Sequence, residues 1–175
     1  MGLGLADGEL KFVEYDPMWA DLFAQEKQKL EAVLGDRVLD IQHIGSTAIP
    51  GMIAKPILDL SIAVDNFETA RNCIEPITGL GYQYLGEYGI ARRHYFTKNQ
   101  PRTHQIHVFE MSSWEWQRHL LLRDYLIQYP EKAQAYADLK CRLYEEHQGD
   151  RAAYQVGKDE FLTQIEKEAK QKIDG

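Results

Sequence analysis

The amino-acid sequence predicts an α+β protein, in which a mixed sheet with two helices is followed by a helical bundle. Strand-like runs with period-two alternation occur only within residues 1–111. Apolar residues recur at helical spacing throughout residues 112–175. Because the strands do not alternate one by one with long helices, the order differs from a series of βαβ units. We therefore expect an α+β core over residues 1–111, with residues 112–175 packed on it as a helical segment.

The composition favours a well-folded chain in a reducing compartment. Hydrophobic residues make up 44% of the 175 residues and aromatic residues 11%, which is enough for a core. The net charge of −7 argues against an extended nucleic-acid-binding surface but is compatible with a local basic site. Cys73 and Cys141 lie far apart in the sequence, as in proteins of the reducing cytoplasm. Since there is no secretory pattern and no run of about 20 apolar residues, we expect a cytoplasmic protein without membrane spans.

Local signals near the N-terminus predict one strand and one helix. Residues 10–15 alternate as a short strand. Asp16 and Pro17 favour the start of a helix, with Asp as the N-cap and Pro at the first helical position. Apolar residues then follow at helical spacing until Gly35, a residue typical of helix ends.

Two strand-like runs, 38–44 and 56–64, flank a turn of small residues. Period-two alternation in the second run places Asp59 and Ser61 on one face. In the turn at 45–47, glycine allows a ligand to approach the backbone, and two hydroxyls and several N–H groups are available to an anion. The pairing of this turn with a carboxylate predicts a polyphosphate on the turn and a metal ion on Asp59.

The middle of the chain predicts a helix and three further strands. Asn66 is a suitable cap for a helix over residues 67–78. Residues 82–85 and 91–96 form two strand patterns around a glycine-containing turn, which predicts a hairpin. A last strand is expected over residues 103–110.

The last strand carries two histidines on opposite faces. Alternation places His107 on the same face as Gln105, and His104 on the other. Glu110 is the only carboxylate of this strand and lies on the face opposite His107. A third histidine, His43, directly precedes the turn; it suits a structural hydrogen bond as well as a phosphate contact.

The C-terminal third predicts three helices. Ser112 and Glu115 have the spacing of a capping box. Pro130 and Gly149 are expected to separate the helices. The predicted boundaries are 113–128, 131–147 and 151–172.

The segment HIGSTAIPGMIAKPILDLSI resembles the signature of the GrpB family. The later segments RTHQIHV, WEWQRHLLLRDYL, YADLK and YQVGKDEF resemble that family in order and spacing, so that the similarity covers roughly residues 15–165. By fold this family belongs to the nucleotidyltransferase superfamily, related to polymerase β-type enzymes. The resemblance implies a nucleotidyltransferase-like mixed sheet, closed by the C-terminal helical bundle.

The resemblance also implies roles for individual residues. Gly45 and Ser46 match the glycine-serine element that grips a triphosphate, and Asp59 matches the first carboxylate that binds Mg²⁺ or Mn²⁺. The second carboxylate position holds Ser61, which is a departure, because a neutral hydroxyl is a poor ligand for a hard cation. His107 would then supply a metal ligand or a base in place of a carboxylate.

Four further residues are candidates for phosphate contacts: Thr47, Lys55, Arg92 and Lys158. Thr47 belongs to the turn, and Lys55 lies near its entrance. Arg92 belongs to a basic cluster on the hairpin, and Lys158 lies at a position that matches the family. Solvated surface charges are the alternative for Lys55 and Arg92.

Three hypotheses for the function follow. The first is an enzyme that transfers a nucleotidyl group from a nucleoside triphosphate to an unknown small molecule or protein, with a divalent metal. The second is a nucleotide- or polyphosphate-binding or regulatory module that kept the fold and lost the metal site, which Ser61 supports. The third is a histidine-dependent metal site with His43, His104 or His107; the opposite faces of the last two argue against a shared ion. The acceptor, the base and the oligomeric state stay open.

Overall fold

The computed structural model of the protein describes residues 2–148 and 150–174, and it contains one five-stranded sheet in that part of the chain. The strands are β1 (Asp40–Ile44), β2 (Leu58–Val64), β3 (Tyr82–Tyr84), β4 (His94–Lys98) and β5 (His104–Glu110). Their order is β1-β2-β5-β4-β3. The sheet is mixed, because β2 and β5 are parallel while all other neighbours are antiparallel. The parallel pair at the centre brings the start of β2 beside the start of β5.

Two helices belong to the sheet region and three follow it, as the sequence predicts. They are α1 (Met18–Leu34), α2 (Ile74–Gly79), α3 (Trp114–Gln128), α4 (Pro130–Glu146) and α5 (Arg151–Ile173). The α+β prediction is therefore confirmed. No helix in the described ranges has the length and apolar character needed to cross a membrane.

Helix α1 begins after Asp16 and ends at Gly35, the two residues at which the sequence predicts its ends. The Asp16 carboxylate accepts a hydrogen bond from the Met18 N–H, 3.0 Å away, and so satisfies a free donor of the first turn. Gly35 ends the helix with a positive φ of 52°.

Three local predictions need correction. Residues 10–15 do not form a strand: Val13 makes one isolated bridge with Ala54. An antiparallel extension would pair position 11 with Pro56, which has no N–H to donate. The predicted helix 67–78 is divided into a 3-10 turn, Thr69–Cys73, and the short α2.

The third correction concerns the start of α3. The N-cap is Ser113, whose hydroxyl accepts from the Trp116 N–H at 3.2 Å, and not Ser112. The extended backbone of Ser113 suits this role. The predicted helix break at Gly149 lies outside the described residues.

The two faces of the sheet have different partners. One face packs against α1 and α2 in the main core, which includes Leu58, Leu60, Ile62 and Val64 of β2 and the fully buried Trp19. On the other face, α3 contacts β1 and β5. Helices α3, α4 and α5 contact one another and share a second apolar cluster. The helical bundle therefore covers the sheet face on which Asp59 lies.

Candidate functional site

A cavity of about 380 Å³ lies between the sheet and the helical bundle. Its walls come from the turn at 45–47, from β2 and β5, and from the inner faces of α3, α4 and α5. Six basic side chains line it: Lys55, Arg93, Arg118, Arg123, Lys140 and Lys158. Only two acidic side chains do so, Asp59 and Asp159. A positively charged cavity in a protein of net charge −7 concentrates anions locally.

The turn brings its backbone against the Asp59 carboxylate. Gly45 has φ 73° and ψ −173°, a conformation that is essentially restricted to glycine. A Cβ atom at this position would lie 3.2 Å from Asp59 Oδ2. Glycine therefore allows both the backbone bend and the close approach of the carboxylate.

His43 forms a hydrogen bond with the turn. Its Nε2 atom lies 2.9 Å from the Thr47 hydroxyl, and its ring stacks on Phe23 with centroids 4.9 Å apart. Burial lowers the pKa of His43 to about 4, and the nearby Arg123 adds to this effect. His43 is therefore neutral at pH 7 and holds the buried Thr47 in place.

Asp59, His107 and Arg93 form a hydrogen-bonded chain along one wall. His107 Nε2 lies 3.0 Å from Asp59 Oδ1, and Arg93 Nη1 lies 3.2 Å from His107 Nδ1. Because a guanidinium group only donates, the donor pattern assigns His107 the tautomer with its proton on Nε2. His107 thus donates to Asp59 and accepts from Arg93, and both ring nitrogens are engaged.

The side chains around Asp59 do not offer the oxygen ligands that a pair of divalent cations needs. Ser61 is completely buried, and its Oγ has no hydrogen-bond partner in the described part of the chain. Gln105 Oε1 accepts from the Tyr95 hydroxyl at 2.7 Å, and His107 is engaged as above. Within the described residues no group of three or more His, Cys, Asp or Glu side chains has the geometry to hold a metal ion. Hard cations next to polyphosphate need several carboxylate oxygens, and this wall offers those of Asp59 alone.

Lys140 of α4 lies directly behind Ser46. Its Nζ atom donates to Ser46 Oγ at 3.0 Å and to the Ile53 carbonyl oxygen. The side chain is only 2% exposed and lies over the Tyr136 ring, with Nζ 4.7 Å from the centroid. Burial lowers the pKa of Lys140 to about 7, with a further contribution from the positive charges of Lys158 and Lys55.

Lys55 and Lys158 complete a cluster of three lysines, hereafter the lysine cluster, which also includes Lys140. Burial, followed by repulsion from Lys158 and Arg151, lowers the pKa of Lys55 to about 8. Burial also lowers the pKa of Lys158. None of the three lysines forms an ion pair with a residue in the described ranges. An anion in the cavity would supply the missing charge.

Most residues predicted for the site line this cavity. They are Gly45, Ser46, Thr47, Lys55, Asp59, His107 and Lys158. The exception is Arg92, which lies outside the cavity and pairs with Glu68 and Glu110 on the far side of the hairpin. Arg93 takes its place in the cavity wall.

The opposite faces predicted for the histidines of β5 are present in the structure. His104 does not line the cavity; its ring packs edge-on against Tyr82, with centroids 6.3 Å apart. His107 faces the cavity together with Gln105. A metal site shared by His104 and His107 is therefore excluded by the geometry of the strand.

Sequence reasoning missed Lys140, Arg93 and His119 as residues of the cavity. Lys140 has a recognisable signal, since it shares a helix stripe with Tyr136 and Tyr144 at spacings of four. His119 has no local signal, because apolar and charged residues are mixed around α3 and no clear pattern marks its inner face.

Comparisons with known proteins agree on one family. The family model described as GrpB protein matches residues 9–168. UPF0157 protein YqkA of Bacillus subtilis is 41% identical over 163 residues, which cover 93% of this chain and 48% of YqkA. Glutamate-rich protein GrpB of Alkalihalophilus pseudofirmus is 35% identical over 169 residues, which cover 93% of this chain and 97% of that protein. The chain thus spans about half the length of YqkA.

A solved structure supports the architecture. The crystal structure of conserved protein GrpB from Enterococcus faecalis superposes with a TM-score of 0.86 at 35% sequence identity. The match covers 94% of this chain and all of the other. The overall fold is therefore shared with an experimental structure.

Proposed function

The chain belongs to the GrpB family, and from this premise we propose that its cavity binds a nucleotide or another polyphosphate without a pair of divalent cations. The observation that carries the proposal is the lysine cluster. Three lysines from three separate segments converge on one cavity, and none has a carboxylate partner among the described residues. One of them, Lys140, is buried and the other two are half-buried, and positive charges that are removed from water without a carboxylate partner are unfavourable unless a ligand neutralises them.

The turn at 45–47 supports the same ligand. Ser46 Oγ lies at the cavity wall, where Lys140 Nζ fixes its position from behind. A phosphate at this point would meet a hydroxyl, backbone N–H groups and lysine charges together. Such a set of donors suits the several oxygens of a polyphosphate better than a single carboxylate.

Nucleotidyl transfer is the second candidate, and the pair of Asp59 and His107 beside the turn favours it. Mg²⁺ or Mn²⁺ would supply charge neutralisation in such a reaction. Because Asp59 is the only carboxylate of this wall, the residues present support positioning by Asp59, His107 and Arg93 and not a two-metal site. Binding therefore stands first and transfer second.

The first experiment measures binding by thermal shift and calorimetry. The probes are ATP, GTP, CTP, UTP and inorganic tripolyphosphate, each with and without Mg²⁺ or Mn²⁺. A ligand at about 100 times its dissociation constant stabilises the folded state by about 2.7 kcal/mol, which is readily measured. We expect stabilisation by at least one triphosphate in the absence of metal. Tripolyphosphate alone separates recognition of phosphates from recognition of the nucleoside.

Two lysines of α5 make a matched pair of variants. Lys158→Met removes a charge inside the cavity, whereas Lys167→Met removes one from an exposed position of the same helix. We expect Lys158→Met to weaken triphosphate binding by about tenfold or more, as for a lost charge-assisted contact. Equal affinities for the two variants, or no shift with any probe, would refute the proposed ligand class.

Asp59→Asn distinguishes the two candidate functions. A binding module should keep or improve its affinity, because a negative charge next to the phosphates has been removed. A transferase should pass the nucleotidyl group to an acceptor hydroxyl or to water and release pyrophosphate only with metal, and the variant should abolish this release. Metal-dependent pyrophosphate release in the wild type would place transfer ahead of binding.

A further inference from the structure

His119 is a cavity residue for which neither candidate function has a role. It belongs to α3, and its ring lines the cavity. The ring stacks on Phe109, with centroids 5.7 Å apart, and on His107, with centroids 6.0 Å apart. These contacts hold the imidazole in one plane beside the pair of Asp59 and His107.

The hydrogen bond of His119 determines which nitrogen carries the proton. Nδ1 lies 2.6 Å from the carbonyl oxygen of Glu115, and this oxygen can only accept. The proton is therefore on Nδ1, and Nε2 presents a lone pair. Burial lowers the pKa of His119 to about 4, with His107 as the next contribution, so the ring is neutral at pH 7.

The lone pair on Nε2 has no hydrogen-bond partner among the described residues. This atom forms no hydrogen bond with any residue in the described ranges, and it is not sealed from solvent. Arg93 and Arg118 also line the cavity, but they cannot serve Nε2 as donors because Arg93 donates to His107 and to two backbone carbonyl oxygens and Arg118 pairs with Glu166. A fully ionised phosphate has no hydrogen to give to Nε2 either.

From this geometry we propose that His119 Nε2 accepts a hydrogen bond from a hydroxyl group of the phosphorylated ligand. The inference rests on the proposed function and names the ligand more closely: a nucleotide whose ribose hydroxyl lies beside the Asp59–His107 pair. His119 is then a specificity-determining residue. A site with an unpaired acceptor rejects an analogue that lacks the matching hydroxyl.

The experiment compares ATP, 2′-deoxy-ATP and 3′-deoxy-ATP by calorimetry in the full chain. We expect one of the two deoxy analogues to bind about five- to tenfold more weakly than ATP, as for one neutral hydrogen bond. In His119→Phe, which keeps a ring for stacking on Phe109 and His107, the affinity ratio should fall to about one.

His104→Phe is the matched control. It removes another half-buried histidine, but one on the opposite face of β5 and outside the cavity. The affinity ratio should remain as in the wild type. A melting temperature for each variant separates a loss of folding from a loss of discrimination.

The outcomes separate this inference from the proposed function. If ATP binds and the ratio is close to one in the wild type, or persists in His119→Phe, the role of His119 is refuted while phosphate binding stands. If no triphosphate binds the wild type, the proposed function itself fails. The same comparison with GTP, CTP and UTP and their deoxy analogues covers a preference for another base.

Discussion

At the scale of single residues, Gly45 combines a restricted backbone with a close neighbour. Gly45→Ala would strain the backbone at φ 73° and bring Cβ to 3.2 Å from Asp59 Oδ2. We expect the free energy of unfolding to fall by about 1–3 kcal/mol from the backbone alone, and further because the carboxylate must move. Urea unfolding with a fitted m-value measures the change.

Gly35→Ala is the control for this prediction. Gly35 also has a positive φ, 52°, but no atom lies within 4 Å of a Cβ built at this position. It should report the backbone effect alone. If both variants lose the same free energy of unfolding, the Asp59 carboxylate moves aside at no energetic cost, and its close approach to Gly45 does not affect stability.

The residues that sequence reasoning found are those whose signal is local. Gly45, Ser46 and Asp59 belong to one strand–turn–strand motif, so a few neighbouring positions define their geometry. Arg92 was misassigned because period-two alternation does not extend to it: β4 begins at His94, and Arg92 has a positive φ of 59°. Its neighbour Arg93 reaches the cavity instead.

At the scale of elements, a buried carboxylate connects α1 to the far edge of the sheet. Glu26 is 3% exposed and accepts from Lys98 Nζ on β4 and from the Tyr82 hydroxyl on β3, both at 2.8 Å. Lys29 adds a third contact at 3.1 Å. Burial alone would raise the pKa of Glu26, but these donors outweigh it and lower the pKa to about 2.

This shift predicts how acid affects stability. The pKa of Glu26 is depressed in the folded state relative to 4.5, so its contribution is complete above about pH 5 and is lost as pH falls towards 2. A shift of this size corresponds to about 3 kcal/mol at most. Between pH 5 and pH 2, the free energy of unfolding of Glu26→Gln should therefore decline by about 3 kcal/mol less than that of the wild type.

Urea unfolding from pH 7 to pH 2 tests the prediction. Glu31→Gln, at an exposed position of the same helix, should keep the wild-type slope. At pH 7, Glu26→Gln should also be destabilised by about 3 kcal/mol, because Lys98 loses its partner. Parallel pH profiles for Glu26→Gln and the wild type would show that the carboxylate contributes nothing specific.

The sequence predicted elements well where their ends carry a chemical signal. Asp16 and Gly35 stand at the two ends of α1, and Asn66 accepts from backbone N–H groups at the start of the 3-10 turn, since each satisfies or terminates backbone groups locally. The strand expected at residues 10–15 does not form because a strand needs a hydrogen-bonding partner, and Pro56, opposite position 11, has no N–H to donate. The burial of Lys140 is not predictable from the sequence for the same reason, because it depends on α4 packing against the distant turn.

At the scale of the whole molecule, charge is distributed unevenly. The chain carries a net charge of −7, yet basic side chains outnumber acidic ones in the cavity. In the absence of a ligand this arrangement opposes protonation of the lysine cluster. Since the pKa of Lys140 is about 7 in the folded protein and 10.5 for an ordinary lysine, the unfolded chain binds more protons between these limits. The contribution of Lys140 to stability therefore grows as pH rises from 7 to 10.

Ligand binding should show the opposite dependence on pH. A polyphosphate stabilises the charged form of Lys140 and Lys55, whose pKa values are about 7 and about 8, so binding takes up protons. Between pH 7.5 and pH 9 the single terminal phosphate of ATP, with a second pKa of about 6, no longer changes its charge. Over this range the affinity for ATP should fall by about tenfold or more, because an increasing share of the binding free energy is spent on protonation.

Calorimetry in two buffers of different ionisation enthalpy measures this proton uptake directly. At pH 7.5 the observed enthalpy of wild-type binding should depend on the buffer, and Lys140→Met should reduce that dependence because one acceptor of protons is gone. Lys167→Met, with its charge in solvent, should behave as the wild type. If ATP binds with an enthalpy independent of buffer, the lysines are already charged in the free protein. The unpaired lysine cluster would then be a preformed anion site and not one that charges on binding.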